Sequence, residues 1–172
     1  MSIKFEELTH KNYDEACKID RSDIPESFVD TVETLLELTD YGVKHHCIGH
    51  TFLIRMNGKA IGLILLGEAI PWRTDPPAMK KEPFYRLMGF VIDKNYRNCG
   101  IGGEVLEKAI KQVYHEFGKR PIALCCHKEN ERAALFYQRH GFHKTEVMEG
   151  NDQYYLRYVG SLPVEEGAFI SE

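Results

Sequence analysis

The run Arg97-Asn98-Cys99-Gly100-Ile101-Gly102-Gly103 lies between an apolar, strand-like stretch and a long amphipathic helical pattern. It constrains the fold more than any other segment, because a strand must end and a helix begin within one short turn. Three glycines mark where the backbone can approach another group closely, since no side chain stands in the way. A helix opening at this point adds N–H groups without intrahelical partners and the positive end of its dipole. Together these make a cradle for a phosphate or pyrophosphate. The flanks agree. Phe84 to Asp93 is apolar enough for a central strand. Val105, Leu106, Ala109, Ile110, Val113, Tyr114 and Phe117 recur at helical spacing, with Glu104, Glu107, Lys108, Lys111 and Gln112 on the opposite face. Gly118 supplies the stop and Pro121 follows. A dinucleotide site would need G-x-G-x-x-G and an acidic residue about 20 positions on. Here the glycines fall as G-x-G-G and the corresponding position is Arg120, so that reading fits poorly.

The 172 residues suffice for one domain with a good core and are short for two. We expect a single domain over residues 1–160 and a polar tail over 161–172. A net charge of −4 provides no basic field for nucleic acid and tolerates a cationic substrate. No apolar run approaches the ~20 residues that span a bilayer. Met1 to Glu7 lacks a signal-peptide profile. Five cysteines form an odd set without framework spacing. Reduced thiols in a cytoplasmic protein, with no nucleic-acid or membrane partner, are the expectation.

Along the chain, Ile3 to Leu8 reads as a strand and Asn12 to Ile19 as a short helix. A second helix is expected after Asp23 with Pro25 in its first turn; Phe28, Val32, Leu35, Leu36 and Thr39 form its inner stripe. Asn57-Gly58 is the strongest hairpin signal, joining strands at His50 to Met56 and Lys59 to Leu66. Glu68 to Pro83 is a loop of a length often associated with function. After the long helix come a strand (Ile122 to Cys126), a helix (Asn130 to His140, stopped by Gly141) and two strands, Phe142 to Met148 and Gln153 to Val159. The order is β-α-α-β-β-β-α-β-α-β-β, a mixed α/β (α+β) fold.

His45-His46-Cys47-x-x-His50 invites a metal reading, with Cys125-Cys126-His127 as the second half. Adjacent strand residues point to opposite faces, so Cys125 and Cys126 do not readily share one ion. No metal is expected. Cys99 lies inside the phosphate loop, where nearby N–H groups and Arg97 favour a thiolate; a small filler residue is the simpler account. Asn130, Ala133 and Tyr137 share one helix face, and the small Ala133 leaves room for a ligand beside the other two. Ala134, Leu135 and Phe136 are expected to turn more toward the core.

Two separated motifs resemble the GNAT superfamily of acyl-CoA-dependent N-acyltransferases. The first, [R/Q]-x-x-G-x-[G/A], is Arg97-Asn98-Cys99-Gly100-Ile101-Gly102. The second, N-x-x-A-x-x-[FL]-Y-x-x-x-G-F, is carried by Asn130, Ala133, Phe136, Tyr137, Gly141 and Phe142. The resemblance implies a mostly antiparallel central sheet with a splayed strand pair and helices on both faces. It implies acetyl-CoA as cosubstrate, its pantetheine arm on the backbone of Phe90, Val91 and Ile92. The pyrophosphate would lie on the amides of Arg97, Asn98, Cys99, Gly100, Ile101, Gly102 and Gly103, with Asn130 and Tyr137 completing the site. Homodimers are common among such relatives, which makes a homodimer an assembly to test.

Acetyl transfer needs a neutral amine, although a free alkyl ammonium has a pKa of about 10.4. It also needs a donor for the carbonyl oxygen, for which a strand N–H near Phe90 is the candidate. The departing thiolate needs a proton, for which the family pattern implies Tyr137. Some relatives place carboxylates on the central strand before the loop, but Arg86, Leu87, Met88 and Gly89 offer none. Glu68, Glu82 or a relayed water is left as base, and Glu68 is the first choice. The chain has a weaker likeness to bacterial diamine and spermidine acetyltransferases, and Asp23, Glu26, Asp30 and Glu33 would make an acidic wall for a polycation. A small-molecule amine is therefore the expected partner. A protein or peptide amine, or a noncatalytic acyl-CoA-binding module, stays open beside it.

Overall fold

Asn57 and Gly58 both take positive φ, 50° and 79°, as a two-residue hairpin turn of matching twist requires. The computed structural model describes residues 2–161. Within them the chain forms two compact units, residues 2–68 with Tyr85–Lys119, and Ala69–Phe84 with residues 120–161. Apart from Ser161, the expected C-terminal tail lies outside the described residues.

The first unit contains β1 (Ile3–Glu7), α1 (Tyr13–Ala16), α2 (Val32–Lys44), β2 (Gly49–Met56), β3 (Lys59–Glu68), β4 (Tyr85–Ile92) and α3 (Ile101–Phe117). Its strands run in the order β1-β2-β3-β4, each antiparallel to its neighbour. Strand alternation sorts the helices. Leu53, Leu63 and Val91 join Leu8, Ala16, Ile19, Leu35 and Leu36 in one cluster, and Thr39 bonds Thr51 at 2.7 Å on the same side. His50 and Phe52 turn the other way, where His50 packs on Phe117 at the end of α3. Val105, Leu106, Ala109, Ile110 and Val113 of α3 are all buried. The larger of these side chains stabilise the fold by about 1.5–3 kcal/mol each. Helices thus cover both faces of this sheet.

The second unit contains β5 (Ile122–His127), α4 (Glu131–Arg139), β6 (His143–Glu149) and β7 (Asp152–Arg157), with the 69–84 segment. Its strand order is β5-β7-β6, antiparallel throughout. β7 is therefore central, which explains why Tyr154, Tyr155 and Leu156 are buried. Phe84, Ala123 and Leu156 form a core with Ala69, Ala78 and Met79. The order of elements is the one the sequence predicts, and the mixed α/β class holds.

Two helices near the N-terminus differ from expectation. α1 is a single turn, after which Lys18 and Ile19 donate to Glu15 and Ala16, the tighter i→i+3 pattern. α2 starts at Val32 rather than just after Asp23. The guanidinium of Arg21 holds the carbonyls of Val29 and Asp30 at 2.6 and 2.7 Å, and Val29 is extended. Thr31 then caps the helix by accepting from the Thr34 amide. Phe28 consequently lies on a short 3₁₀ turn, Glu26–Phe28, outside the stripe assigned to it.

Candidate active site

β4 is not a regular strand. Leu63 opposes Val91 and Leu65 opposes Met88, so β4 spends one more residue than β3 over this interval. The extra residue is a bulge at Gly89-Phe90, with Gly89 at φ 60°. A Cβ on Gly89 would lie 2.5 Å from both Leu35 methyl carbons. The bulge re-aims the backbone of the stretch from Phe90 to Ile92, the stretch for which the family resemblance implies a cofactor contact. A glycine inside an apolar strand is the sequence signal of such a bulge.

Beyond Ile92 the chain is organised by Asp93, which is buried. Its carboxylate accepts from the amides of Asn95 and Asp20, each at 2.9 Å, and from the Asn95 side chain. Burial pushes the carboxyl up, but these donors outweigh it and hold the group below its ordinary value. Arg97 is extended, and its guanidinium turns back into the protein. Nε donates to the Ile92 carbonyl and Nη1 pairs with Asp23 Oδ2, both at 2.6 Å. Its side chain therefore braces the turn and leaves the main-chain amides as the donors that face outward from it. Asn98 has φ 63°, a conformation asparagine tolerates better than most residues. The Cys99 thiol donates to the Tyr96 carbonyl at 3.1 Å. Gly100, at φ 82°, opens α3, and Glu104 donates the first intrahelical bond to it. The amides of Ile101, Gly102 and Gly103 precede that bond and have no acceptor within the helix.

In the second unit Asn130 caps α4. Its Oδ1 accepts from the Ala133 amide at 3.2 Å, a role that commits one side-chain atom to the fold. The helix faces are not quite those expected. Leu135 is 51% exposed, whereas Tyr137 is 8% exposed and packs edge-on against Phe136 and Phe142. The nine-residue helix is the physical reason: Tyr137 heads its inward stripe, and Leu135 falls on the outward side. No hydrogen bond to the Tyr137 hydroxyl forms among the described residues. Burial, and then the neighbouring Cys126, push its pKa well above that of a free phenol. Burial, with Asp152 nearby, likewise raises Cys126 to about 11.

A model of the acetyltransferase (GNAT) family matches residues 13–142. The chain belongs to the GNAT family. An uncharacterised N-acetyltransferase from Methanocaldococcus jannaschii is 29% identical over 99 residues, 58% of this chain. The match covers 41% of that relative, so the chain spans well under two thirds of its length. PaiA N-acetyltransferase from Thermoplasma acidophilum, solved in complex with coenzyme A, has the same fold. Its TM-score is 0.67 at 18% identity, covering 92% of this chain and 99% of that one. A spermidine N-acetyltransferase chimera that includes Vibrio cholerae sequence matches with TM-score 0.64 at 13% identity, covering 92% and 96%.

The remaining candidates of this GNAT chain fall as follows. Glu68 ends β3, is exposed, and accepts from the Ile48 amide at a long 3.4 Å. It also raises the thiol pKa of Cys47, behind the larger effect of desolvation. Glu82 is exposed in the 69–84 segment. The same segment contains a group the sequence did not reveal. Buried Tyr154 donates to Asp75 Oδ1 at 3.0 Å and lies 3.1 Å from the Thr74 hydroxyl, while Asp75 Oδ2 accepts from the Trp72 amide at 2.8 Å. Residues 80 positions apart had to be brought together for this latch to exist. Among the described residues no three His, Cys, Asp or Glu side chains converge on a common metal position. His50 is instead held between Glu7 and Glu116, and His45 stacks on Tyr41. No helix among the described residues is long and apolar enough to cross a membrane.

Proposed function

We propose that this chain is an acetyl-CoA-dependent N-acetyltransferase acting on a primary amine of a small molecule, with polyamines the first class to test. The carrying observation is the opening of α3. Three consecutive amides, Ile101 to Gly103, precede the first helical bond, and a Cβ on Gly100 would meet nothing within 4 Å. That open, donor-rich turn fits a pyrophosphate. The coenzyme A bound to the PaiA neighbour supports this choice of ligand, and the spermidine acetyltransferase neighbour supports the acceptor class.

The amides of residues 97–103 hold the pyrophosphate, and Arg97 keeps them in place from behind. The bulged backbone of Phe90, Val91 and Ile92 aligns the pantetheine arm, and Asn130 is a further candidate for a cofactor contact. Acetyl-CoA supplies an activated acyl group whose leaving thiol has a pKa of about 8.5. Tyr137 keeps its proton throughout the physiological range because burial opposes the phenolate. The retained proton lets it donate a hydrogen bond to the departing sulfur, the acid role proposed for it, while the same burial makes it a weaker acid than a free phenol. Glu68 accepts the proton of the incoming ammonium through water, as suits an exposed carboxylate at a strand end.

Residues 1–160 act as one acetyltransferase domain in this reading, which the family match over residues 13–142 supports. All five cysteines are free thiols, which suits a reducing cytoplasmic compartment. A homodimer is the assembly to test, by sedimentation.

The functional test follows thiol release from acetyl-CoA across polyamines, aminoglycosides, amino acids and peptides. Turnover of small amines supports the reading. Turnover of peptides alone would move the acceptor to proteins, and CoA binding without turnover on any amine would make the chain a binding module.

A further inference from the structure

The run His45-His46-Cys47 is a helix stop. The Cys47 amide donates to the Gly42 carbonyl at 2.9 Å and the His46 amide to the Val43 carbonyl at 3.3 Å. These are the paired 6→1 and 5→2 bonds that close a helix when the next residue turns left-handed. His46 takes that conformation, at φ 54°, where glycine is usual. Three residues on, Gly49 has φ 122°, and a Cβ there would collide with Gly67 Cα and lie 2.6 Å from the Leu66 carbonyl. Cys47 and Ile48 are thus held between two backbone positions that ordinary side chains disfavour. Such positions persist only where the surrounding structure fixes them, and they gather at functional sites.

Cys47 and Ile48 meet the end of β3. The Ile48 carbonyl accepts from the Glu68 amide at 2.8 Å, and the Ile48 amide donates to Glu68 Oε2 at 3.4 Å. The half-buried Cys47 thiol donates to the same carboxylate. Desolvation, and then Glu68 itself, raise this thiol above its ordinary value, so it keeps its proton and stays a donor near neutrality. A glutamate on the surface at a strand end otherwise samples several rotamers. Here two donors from one fixed turn limit it. A carboxylate has about four lone-pair sites, so room remains for an incoming ammonium or its water.

We infer that Cys47 is a positioning residue: with the Ile48 amide, its thiol holds the Glu68 carboxylate in the orientation that receives the ammonium proton. The inference rests on the reading of Glu68 as the base. A base aligned in advance takes the proton without first losing rotamer freedom. The helix stop at His46 and the close pair Gly49 and Gly67 bring the thiol to that carboxylate.

Steady-state kinetics of the full chain test this, with acetyl-CoA and spermidine or the most active amine of the panel above. Cys47→Ala is expected to lower kcat by about three- to tenfold, with KM for both substrates changed by less than about twofold. Cys47→Ser, which keeps a donor, recovers kcat to within about twofold of the unmodified protein. Glu68→Gln lowers kcat by about 10²-fold or more, and Cys47→Ala in that background costs nothing further. If Cys47→Ala fails to fold, Cys47→Val supplies a variant of similar size without a donor. An equal loss from Cys47→Ala in both backgrounds, or no loss in the unmodified one, overturns the positioning role and leaves the acetyl-CoA reading intact. A serine variant as slow as the alanine variant overturns it as well. Full turnover by Glu68→Gln overturns the base assignment, and the role of Cys47 falls with it. No turnover of any amine overturns the transferase reading itself.

Discussion

Gly89 and Leu35 pack so closely that a Cβ on the glycine would stand 2.5 Å from both Leu35 methyl carbons. Gly89 is also left-handed, at φ 60°. Two costs therefore fall on Gly89→Ala, the αL conformation and overpacking of a buried leucine, together about 2–4 kcal/mol. Denaturant unfolding should show a loss of this size, with weakened acetyl-CoA binding because the bulge is deformed. In a Leu35→Ala background the packing share of the Gly89→Ala effect should vanish and the conformational share remain.

Tyr137→Phe removes the hydroxyl and keeps the ring against Phe136 and Phe142. We expect kcat to fall by about 10²–10⁴ with acetyl-CoA affinity nearly unchanged. Because burial raises this phenol, the rate profile of the unmodified enzyme should show no inflection from its ionisation below about pH 10. Full turnover by Tyr137→Phe at saturating substrates would remove the residue from the mechanism.

Asn130→Ala separates a cap from a ligand contact. Loss of the bond to the Ala133 amide should cost about 1 kcal/mol of stability. A rise in KM for acetyl-CoA that persists in Asn130→Ser, which restores a capping oxygen, would identify a contact with cofactor. A KM that recovers with the cap would leave Asn130 a purely structural residue.

His50 makes stability pH-dependent in the first unit. Desolvation works against its charge, but Glu7 and Glu116 outweigh it and raise the pKa above the ordinary 6.5. A raised folded-state pKa means that its contribution is complete below about pH 6.5 and is lost as pH rises through the folded value. On the acid side, His50 and then Gln112 hold Glu116 below its ordinary value, so its contribution is present above that value and is lost as pH falls through the depressed one. Denaturation midpoints should decline as pH rises above about 6.5, and His50→Gln should flatten that decline. An unchanged slope in the variant would show that other groups set it.

The legible parts of the chain were those where function and local geometry use the same residues. Gly100 needs a left-handed φ to open α3 and the loop needs bare backbone, so one glycine pattern reports both. The hydrophobic stripe of α3 and the Asn57-Gly58 turn are local in the same way. The start of α2 is not legible locally because Arg21, a residue outside the helix, holds the carbonyls of Val29 and Asp30 and delays it. The outward position of Leu135 is not legible because a nine-residue helix gives periodicity too few repeats to distinguish an inward stripe from a neighbouring one.

Sequence alone determined the order of elements, the glycine turn that opens α3 and the GNAT resemblance, since each rests on spacings within a few dozen residues. Tertiary structure alone decided what Arg97, Asp93 and Tyr154 do. Their partners Asp23, Asp20 and Asp75 lie 73 to 79 positions away in the chain, and no local pattern marks one carboxylate or amide among many as the one a fold will bring within 3 Å.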